Sequence, residues 1–142
     1  MPVRKASAVW NGTLREGSGT VKTETGSFDG KYSFTSRFEE GKGTNPEELV
    51  AAAHAACFSM ALSGNIKKAG FDPVKITTED KVYIEKVEDV FTITKIEVFT
   101  DAEVPGIDAA KFNEIAEASK KGCPVSRALT GTEIILNAKL KS

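Results

Sequence analysis

The sequence has few of the residues that build covalent frameworks or attract polyanions. It contains two cysteines and one histidine in 142 residues, and its 19 lysine and arginine residues are balanced by 20 acidic ones. Two cysteines are too few for the disulfide framework of a small secreted domain. The near-neutral charge gives no reason to expect a nucleic acid or an anionic membrane as a partner.

The N-terminal segment MPVRKASAVW also lacks the apolar region of a secretory signal, so we expect a cytoplasmic protein. The least charged stretch runs from Leu49 to Ile66 and is nominally long enough to span a bilayer. It contains His54, Ser59 and Asn65, and much of the rest is alanine. A buried helix of a soluble protein fits this composition better than a membrane span.

Turn signals and alternating apolar residues predict strands in both halves of the chain. Asn11-Gly12 and Asp29-Gly30 are typical of hairpin turns, so residues 4–38 are interpreted as three or four short strands. Three further strands are predicted around Val82 and Ile84, from Phe91 to Phe99, and from Thr132 to Leu140. The apolar residues change parity between Ile93 and Ile96, which indicates a bulge or burial on both faces.

Helix start and stop signals predict two long helices and one short helix between these strands. Asn45 and Pro46 suit the start of the first helix, which runs to about Lys68 before Gly70. The second helix spans about 108–121, and a short third helix, starting at Cys123-Pro124, runs to about residue 129. With helices and strands segregated, the chain is predicted to be a single α+β domain over residues 1–142.

The first helix has an unusual composition for a surface helix. No residue between Glu48 and Lys67 carries a fixed charge, so every face is apolar or small. One sheet of a small domain covers only one side of such a helix. The sequence therefore predicts a homodimer, in which the partner chain covers the rest.

The two cysteines and the histidine are the candidate chemical groups. In a reducing compartment, the cysteines are inert thiols, metal ligands or a redox pair. Cys57 lies mid-helix, where free cysteine is most often a small core residue. Cys123 precedes Pro124 at a helix start, where unpaired amides stabilise a thiolate. His54 lies on the same helical face as Cys57, either as a thiol partner or as a hydrogen-bonded core histidine.

Two motifs resemble those of one known family. The stretch TNPEELVAAAHAACFSMALS, residues 44–63, is similar to the central helix of the osmotically inducible protein (OsmC) family. GCPVS, residues 122–126, resembles the second cysteine segment of that family, and the similarity extends over essentially the whole chain. The related organic hydroperoxide resistance branch has a similar cysteine helix, but the His-Ala-Ala-Cys run and GCPVS place this chain with the OsmC branch.

The resemblance implies a fold and a chemistry. The implied fold is α+β, with antiparallel sheets packed around a long buried central helix in an intertwined homodimer. The implied enzyme is a thiol peroxidase that reduces organic hydroperoxides: Cys57 attacks the peroxide, and Cys123 captures the sulfenic acid as a disulfide. A dithiol, for which a dihydrolipoyl group is a candidate, then restores the thiols. Arg37 and Glu47 match the arginine and glutamate that the family pairs with the reactive thiol. No metal or organic cofactor is required.

Physical chemistry explains why Cys57 needs such partners. A free cysteine is only partly ionised at neutral pH, and apolar burial raises its pKa further. Arg37 would supply the cation, and Glu47 would hold it by a bidentate pair. However, if Phe34 and Phe38 faced the core on a regular strand, the side chain of Arg37 would point away from it. Glu47 and Cys57 are also about 15 Å apart along a straight helix.

Three other functions fit the same residues. Cys57, Cys123 and His54 are ligand types that suit zinc, although no close pair of ligands flanks a turn. The chain could also be a non-enzymatic module that binds an apolar ligand, with structural cysteines. Disulfide exchange on other proteins is a third reading, although a CxxC motif is absent.

Overall fold

The computed structural model describes residues 1–142, which form two compact units, Met1–Leu49 and Val50–Ser142. The first unit contains an antiparallel sheet with the strand order β1-β2-β3 and one short helix. Its elements are β1 Ala6–Asn11, β2 Ser18–Thr23, β3 Asp29–Tyr32 and α1 Phe34–Phe38. The predicted number of short strands in this segment is confirmed, whereas the assignment of single-domain organisation to the whole chain stays a prediction.

Helix α1 corrects the expectation that residues 34–38 continue a strand. Ser33 begins the helix with a capping box: its hydroxyl accepts the amide N–H of Ser36, and the Ser36 hydroxyl accepts the amide N–H of Ser33. This reciprocal pair satisfies amides that would otherwise lack partners at the helix start. Arg37 therefore lies on a helical turn. The alternation of side chains along a strand, which would have placed Arg37 on the opposite face from Phe34 and Phe38, does not apply.

The Asp29-Gly30 pair also differs from its predicted role. Both residues lie inside β3, where Asp29 pairs with Lys22 and Gly30 pairs with Val21. A side chain at position 30 would collide with the Phe28 ring, since an added Cβ would lie 2.8 Å from it. This glycine therefore permits close packing within the strand and is not part of a turn.

Helix α2, Pro46–Lys68, begins and ends where the capping signals predict. The Asn45 side chain accepts the amide N–H of Glu48 at 2.8 Å, and Gly70 follows the helix with a φ of +95°. By length and composition alone, with a mean hydropathy of 1.4, this helix is apolar enough to cross a membrane. Core helices of soluble proteins have the same composition, so this property is weak evidence for a span.

The second unit contains a sheet with the order β4-β5-β6: β4 Lys75–Val87, β5 Val90–Glu103 and β6 Glu133–Leu140. β4 and β5 form an antiparallel hairpin whose register shifts after Tyr83, leaving Thr94 as the extra residue. This is the bulge predicted from the parity change. The sheet is mixed and not wholly antiparallel, because β6 runs parallel to β5.

The return from β5 to β6 passes through two helices, α3 Ala109–Gly122 and α4 Pro124–Ala128. Asp108 caps α3 by accepting the amide N–H of Lys111 at 2.7 Å. The core of this unit combines one face of α2 with the inner faces of the sheet and of α3. Its buried members include Phe58, Leu62, Ile66, Ile96, Val98 and Phe112.

The opposite face of α2 remains exposed. Ala52, Ala53, Ala56 and Gly64 are exposed, and the Met60 side chain is 78% exposed. The chain alone therefore buries one side of its uncharged helix, as expected. A partner chain over the other side stays a prediction.

Candidate active site

The two cysteines meet inside the second unit. Cys57 lies in the middle of α2, and Cys123 lies between α3 and α4. Their Sγ atoms are 2.8 Å apart as free thiols, although the residues are 66 positions apart in the chain. Since a disulfide has an S–S length of about 2.05 Å, a sub-ångström movement would bring the sulfurs to bonding distance. Cys123 is fully buried and Cys57 is partly buried.

The environment of Cys123 favours its thiolate. Burial alone raises the pKa of this thiol, but several hydrogen bonds outweigh burial, so its pKa is below the usual value. The partners in these hydrogen bonds are the Cys57 thiol, the amide and hydroxyl of Ser126, and the amide of Val125. The two amides belong to the first turn of α4, where amides lack helical partners. Cys123 is therefore the more acidic of the two thiols, in agreement with its predicted position at a helix start.

Cys57 shows the opposite shift. Burial and the neighbouring Cys123 raise the pKa of its thiol, and the amide of Val125 offsets only part of that effect. When the two thiols hold one proton between them, the proton therefore lies mainly on Cys57 and the negative charge on Cys123. Cys57 therefore requires a nearby positive charge to react with peroxide as a thiolate. The sequence analysis predicted that Arg37 supplies this charge.

Arg37 and Glu47 form an ion pair in the first unit. Arg37 Nε donates to Glu47 Oε1 at 2.8 Å, and the arginine side chain is 36% exposed while that of the glutamate is 8% exposed. The other carboxylate oxygen, Oε2, is buried and has no hydrogen-bond partner. The contact is therefore single, where a bidentate pair was expected. The roles of Arg37, Glu47, Cys57 and Cys123 in catalysis stay predictions.

The single histidine has two partners that the sequence analysis missed. His54 Nδ1 hydrogen-bonds to the Asp80 carboxylate, and its Nε2 lies 2.7 Å from Ser126 Oγ. The side chains of His54 and Asp80 have no exposed surface, and Ser126 is buried. His54 is thus a hydrogen-bonded core histidine and not a direct partner of Cys57.

Asp80 was detectable in the sequence, because it lies at the same strand parity as Ile76, Val82 and Ile84. A carboxylate on the apolar face of a strand needs a buried partner, and the chain has one histidine. Ser126 was part of the quoted GCPVS segment. Its contact with His54 joins residues 72 positions apart, which no local pattern specifies.

The other candidate residues have more ordinary positions. Phe58 and Leu62 belong to the buried core, whereas Met60 is exposed. No three His, Cys, Asp or Glu side chains converge to hold a metal ion.

In the first unit, a cavity of about 200 Å³ lies beside Arg37 and is otherwise mostly apolar and aromatic. It is lined by Trp10, Leu14, Tyr32, Ser33, Phe34, Arg37 and Phe38.

Together, the fold and the site define an α+β protein with a paired-thiol centre. The OsmC-like protein family matches residues 39–137 of the chain. The chain is 51% identical to peroxiredoxin OsmC of Escherichia coli (strain K12) over 98% of its own length and 97% of that protein. The chain belongs to the OsmC-like family.

Two further relatives extend the comparison to another branch. The chain is 32% identical to organic hydroperoxide resistance protein OhrB of Bacillus subtilis (strain 168), over 84% of this chain and 88% of that protein. The crystal structure of an organic hydroperoxide resistance protein from Elizabethkingia anophelis has a TM-score of 0.73 at 27% identity. That match covers 99% of each chain, so the similarity includes the elements of both units.

Proposed function

We propose that this protein is a two-cysteine peroxidase that reduces organic hydroperoxides, and hydrogen peroxide more weakly, in defence against oxidative or osmotic stress. Membership of the family and 51% identity to a protein named peroxiredoxin OsmC make it a peroxidase-type enzyme. The observation that carries the two-cysteine mechanism is the 2.8 Å separation of the Cys57 and Cys123 sulfurs.

In the first step, the Cys57 thiolate attacks the terminal oxygen of the hydroperoxide. The O–O bond breaks, Cys57 becomes a sulfenic acid, and the alkoxide leaves as an alcohol after taking a proton. Cys57 is the attacking residue because it is the more exposed of the two sulfurs, whereas Cys123 is fully buried. Oxidant can therefore reach Cys57 first.

In the second step, Cys123 attacks the sulfenic sulfur of Cys57. The S–S bond forms, the S–O bond breaks, and hydroxide leaves as water after protonation. The pKa of Cys123 is lowered from its usual value, which favours the thiolate that this attack requires. The short distance between the sulfurs favours capture before a second peroxide oxidises Cys57 irreversibly.

A small dithiol completes the cycle by thiol–disulfide exchange. One of its sulfurs forms a mixed disulfide, and its second sulfur displaces the protein thiolate. A dihydrolipoyl group is the candidate reductant, because its two thiols close a stable ring on oxidation. No bound cofactor takes part in these steps.

Arg37 and Glu47 are proposed to lower the pKa of the reacting Cys57 thiol. The support is the family resemblance, the ion pair between the two side chains, and the need for positive charge that burial of Cys57 creates. An apolar cavity beside Arg37 suits the organic part of a hydroperoxide. The proposal also includes a homodimer, through the exposed face of α2, and a cytoplasmic location, where dithiol reductants keep the cysteines reduced.

The test is consumption of cumene hydroperoxide with dihydrolipoamide as the reductant. We expect the wild type to turn over, Cys57→Ser to be inactive, and Cys123→Ser to complete one attack and then accumulate sulfinic acid at Cys57. Ser59→Ala, which removes a partly buried hydroxyl from the same helix, is the control and should retain turnover. If wild type and Cys57→Ser both consume peroxide at the background rate, the protein is better explained as an apolar-ligand-binding module.

A further inference from the structure

We propose that two interhelical hydrogen bonds position Cys123 for its attack on Cys57 and set how readily the two thiols form a disulfide. The bonds join α2 to the chain on either side of Cys123, and they are His54–Ser126 and Asn65–Ser119. The inference rests on the proposed resolving role of Cys123. It assigns a task to four polar side chains that the two-cysteine mechanism leaves unused. They are positioning residues, because they act on the reaction through the placement of Cys123.

The first interhelical hydrogen bond holds the start of α4. His54 Nε2 on α2 lies 2.7 Å from Ser126 Oγ, and both side chains are buried. The Cys123 carbonyl accepts the amide N–H of Arg127 at 3.0 Å, so a single helical turn joins Ser126 to Cys123. The His54–Ser126 bond is compatible with a neutral or a protonated ring, because a serine hydroxyl can both donate and accept.

A second contact fixes the orientation of the His54 ring. Its Nδ1 hydrogen-bonds to the Asp80 carboxylate on β4, and neither side chain has exposed surface. A ring with both nitrogens engaged cannot turn without leaving a buried polar group unpaired, which is costly. The sheet therefore sets the direction in which His54 Nε2 meets Ser126.

The second interhelical hydrogen bond holds the end of α3. Asn65 Nδ2 on α2 donates to Ser119 Oγ at 3.0 Å, and Ser119 is fully buried. The backbone carbonyl of Ser119 accepts the amide N–H of Cys123 at 2.9 Å. The residue that Asn65 contacts therefore also holds the backbone of Cys123.

The two bonds lie on either side of the thiol pair. His54 is three residues before Cys57, and Asn65 is eight residues after it. These offsets are close to whole helical turns, so the three side chains share one face of α2. On the opposing chain the order is reversed, since the partner of His54 follows Cys123 and the partner of Asn65 precedes it. The sulfurs, 2.8 Å apart, therefore lie between two fixed points.

Positioning matters more for the reduced protein than for the disulfide. In the disulfide, a covalent bond holds Cys123 against Cys57. In the reduced protein, only non-covalent contacts hold the two thiols together, so these contacts set the fraction of molecules in which the sulfurs touch. Loss of an interhelical hydrogen bond lowers that fraction. The rate and the equilibrium constant of disulfide formation should fall with it.

The first experiment measures the equilibrium with dithiothreitol, without peroxide. As the protein S–S bond forms, the two cysteines lose two electrons and two protons, and oxidised dithiothreitol gains both as its own S–S bond breaks. We expect the equilibrium constant to fall about fivefold in Asn65→Ala and about tenfold in Ser126→Ala, which also leaves His54 Nε2 unpaired. Asn65→Ala removes the interhelical bond alone, because Ser119 Oγ keeps its 2.7 Å hydrogen bond to the carbonyl of Ile115.

The matched control is Ser59→Ala. Ser59 also lies on α2, but its hydroxyl donates to Thr78 on β4 at 2.7 Å. The control therefore loses a side-chain hydrogen bond of the same helix that does not reach α3 or α4. We expect its equilibrium constant to match that of the wild type. Thermal unfolding of each variant sets a temperature at which all of them are folded.

The second experiment follows a single turnover with one equivalent of cumene hydroperoxide. Sulfenic acid formation and disulfide formation are measured separately. We expect Asn65→Ala and Ser126→Ala to form sulfenic acid at the wild-type rate but to form the disulfide more slowly, by the factors given for the equilibrium. A general loss of structure slows both steps, whereas loss of Cys123 positioning slows only the second.

The outcomes are distinct. Equilibrium constants for Asn65→Ala and Ser126→Ala within about twofold of that for Ser59→Ala overturn the positioning role, as does an equal loss in the two kinetic steps. A wild type without peroxide turnover, combined with lower equilibrium constants in both variants, overturns the proposed function and leaves the positioning of the thiol pair in place. Because Asn65 is only partly buried, Asn65→Ala is expected to fold and decides by itself if Ser126→Ala does not.

Discussion

Arg37 Nε lies 2.8 Å from Glu47 Oε1, and the second carboxylate oxygen of Glu47 is buried without a hydrogen-bond partner. The arginine is therefore the main compensation for a carboxylate that is 8% exposed. We expect Arg37→Ala to lower the free energy of unfolding by about 1–3 kcal/mol, since it leaves that charge unpaired. Adding Glu47→Gln should recover part of the loss, as measured by urea unfolding of both variants.

The control pair for this experiment is Lys5 and Glu24. Their charged atoms are 3.6 Å apart, and both side chains are more than half exposed. Exposed pairs contribute about 0–1 kcal/mol, so Lys5→Ala should change stability less than Arg37→Ala. An equal loss in the two variants contradicts a special role for the Arg37–Glu47 contact in stability.

The proposed electrostatic role of Arg37 predicts a change at Cys57. Because burial raises the pKa of Cys57, its thiolate needs a cation, and removal of Arg37 should raise the pKa further. The measurement is the pH profile of Cys57 alkylation by iodoacetamide in Cys123→Ser, with and without Arg37→Ala. Arg127→Ala, which removes an exposed arginine from α4, serves as the comparison. Superimposable profiles for the two arginine variants would remove Arg37 from the site.

Ionisation of Tyr83 should lower the free energy of unfolding at alkaline pH. Its hydroxyl donates to Glu97 Oε1, and this hydrogen bond, together with burial and the carboxylate charge, raises the tyrosine pKa above 10.0. A raised folded-state pKa stabilises the protein below the unfolded value, and this stabilisation is lost as the pH rises through the folded value. Tyr83→Phe should therefore be less stable than wild type at neutral pH.

The difference in the free energy of unfolding between the wild type and Tyr83→Phe should shrink as the pH rises beyond about 10. Urea unfolding of both proteins at a series of pH values measures this difference. Tyr32→Phe is the control for loss of a tyrosine hydroxyl, because the Tyr32 ring packs on Trp10 with centroids 5.3 Å apart. A stability difference for Tyr83→Phe that stays constant into the alkaline range contradicts the assignment.

The exposed face of α2 predicts self-association. Ala56 lies at the centre of this uncharged face, next to the exposed Met60. We expect the wild type to sediment as a dimer and Ala56→Arg to shift it towards monomer, because a buried unpaired charge is costly. Ala110→Arg places the same charge on an exposed alanine of α3 and should leave the dimer intact. Monomeric wild type at micromolar concentration contradicts the prediction.

Local patterns specified much of the fold. Asn45, Pro46 and Gly70 fixed the limits of α2, because caps and left-handed glycines act on neighbouring backbone groups. The parity change before Ile96 indicated the bulge at Thr94 for a similar reason. Residues 34–38 were assigned wrongly, since the Ser33–Ser36 capping box competes with a strand pattern that two phenylalanines suggest.

The site was harder to predict than the fold. Cys57 and Cys123 were found through the family motifs, but their proximity depends on packing between segments 66 residues apart. The contacts of His54 with Asp80 and Ser126 depend on three separate elements, and sequence spacing does not encode them. Parity placed Asp80 on the apolar face of β4, yet a single sequence does not identify the element packed against that face.

The parallel pairing of β6 with β5 connects the end of the chain to the proposed chemistry. The crossover to this strand carries α3, Cys123 and α4, so the buried position of the second sulfur depends on the docking of residues 133–140. A polypeptide released before this last strand would hold Cys57 on a complete helix without the strand that follows Cys123. If Cys123 resolves the Cys57 sulfenic acid as proposed, such a truncated product would form that acid but not the disulfide.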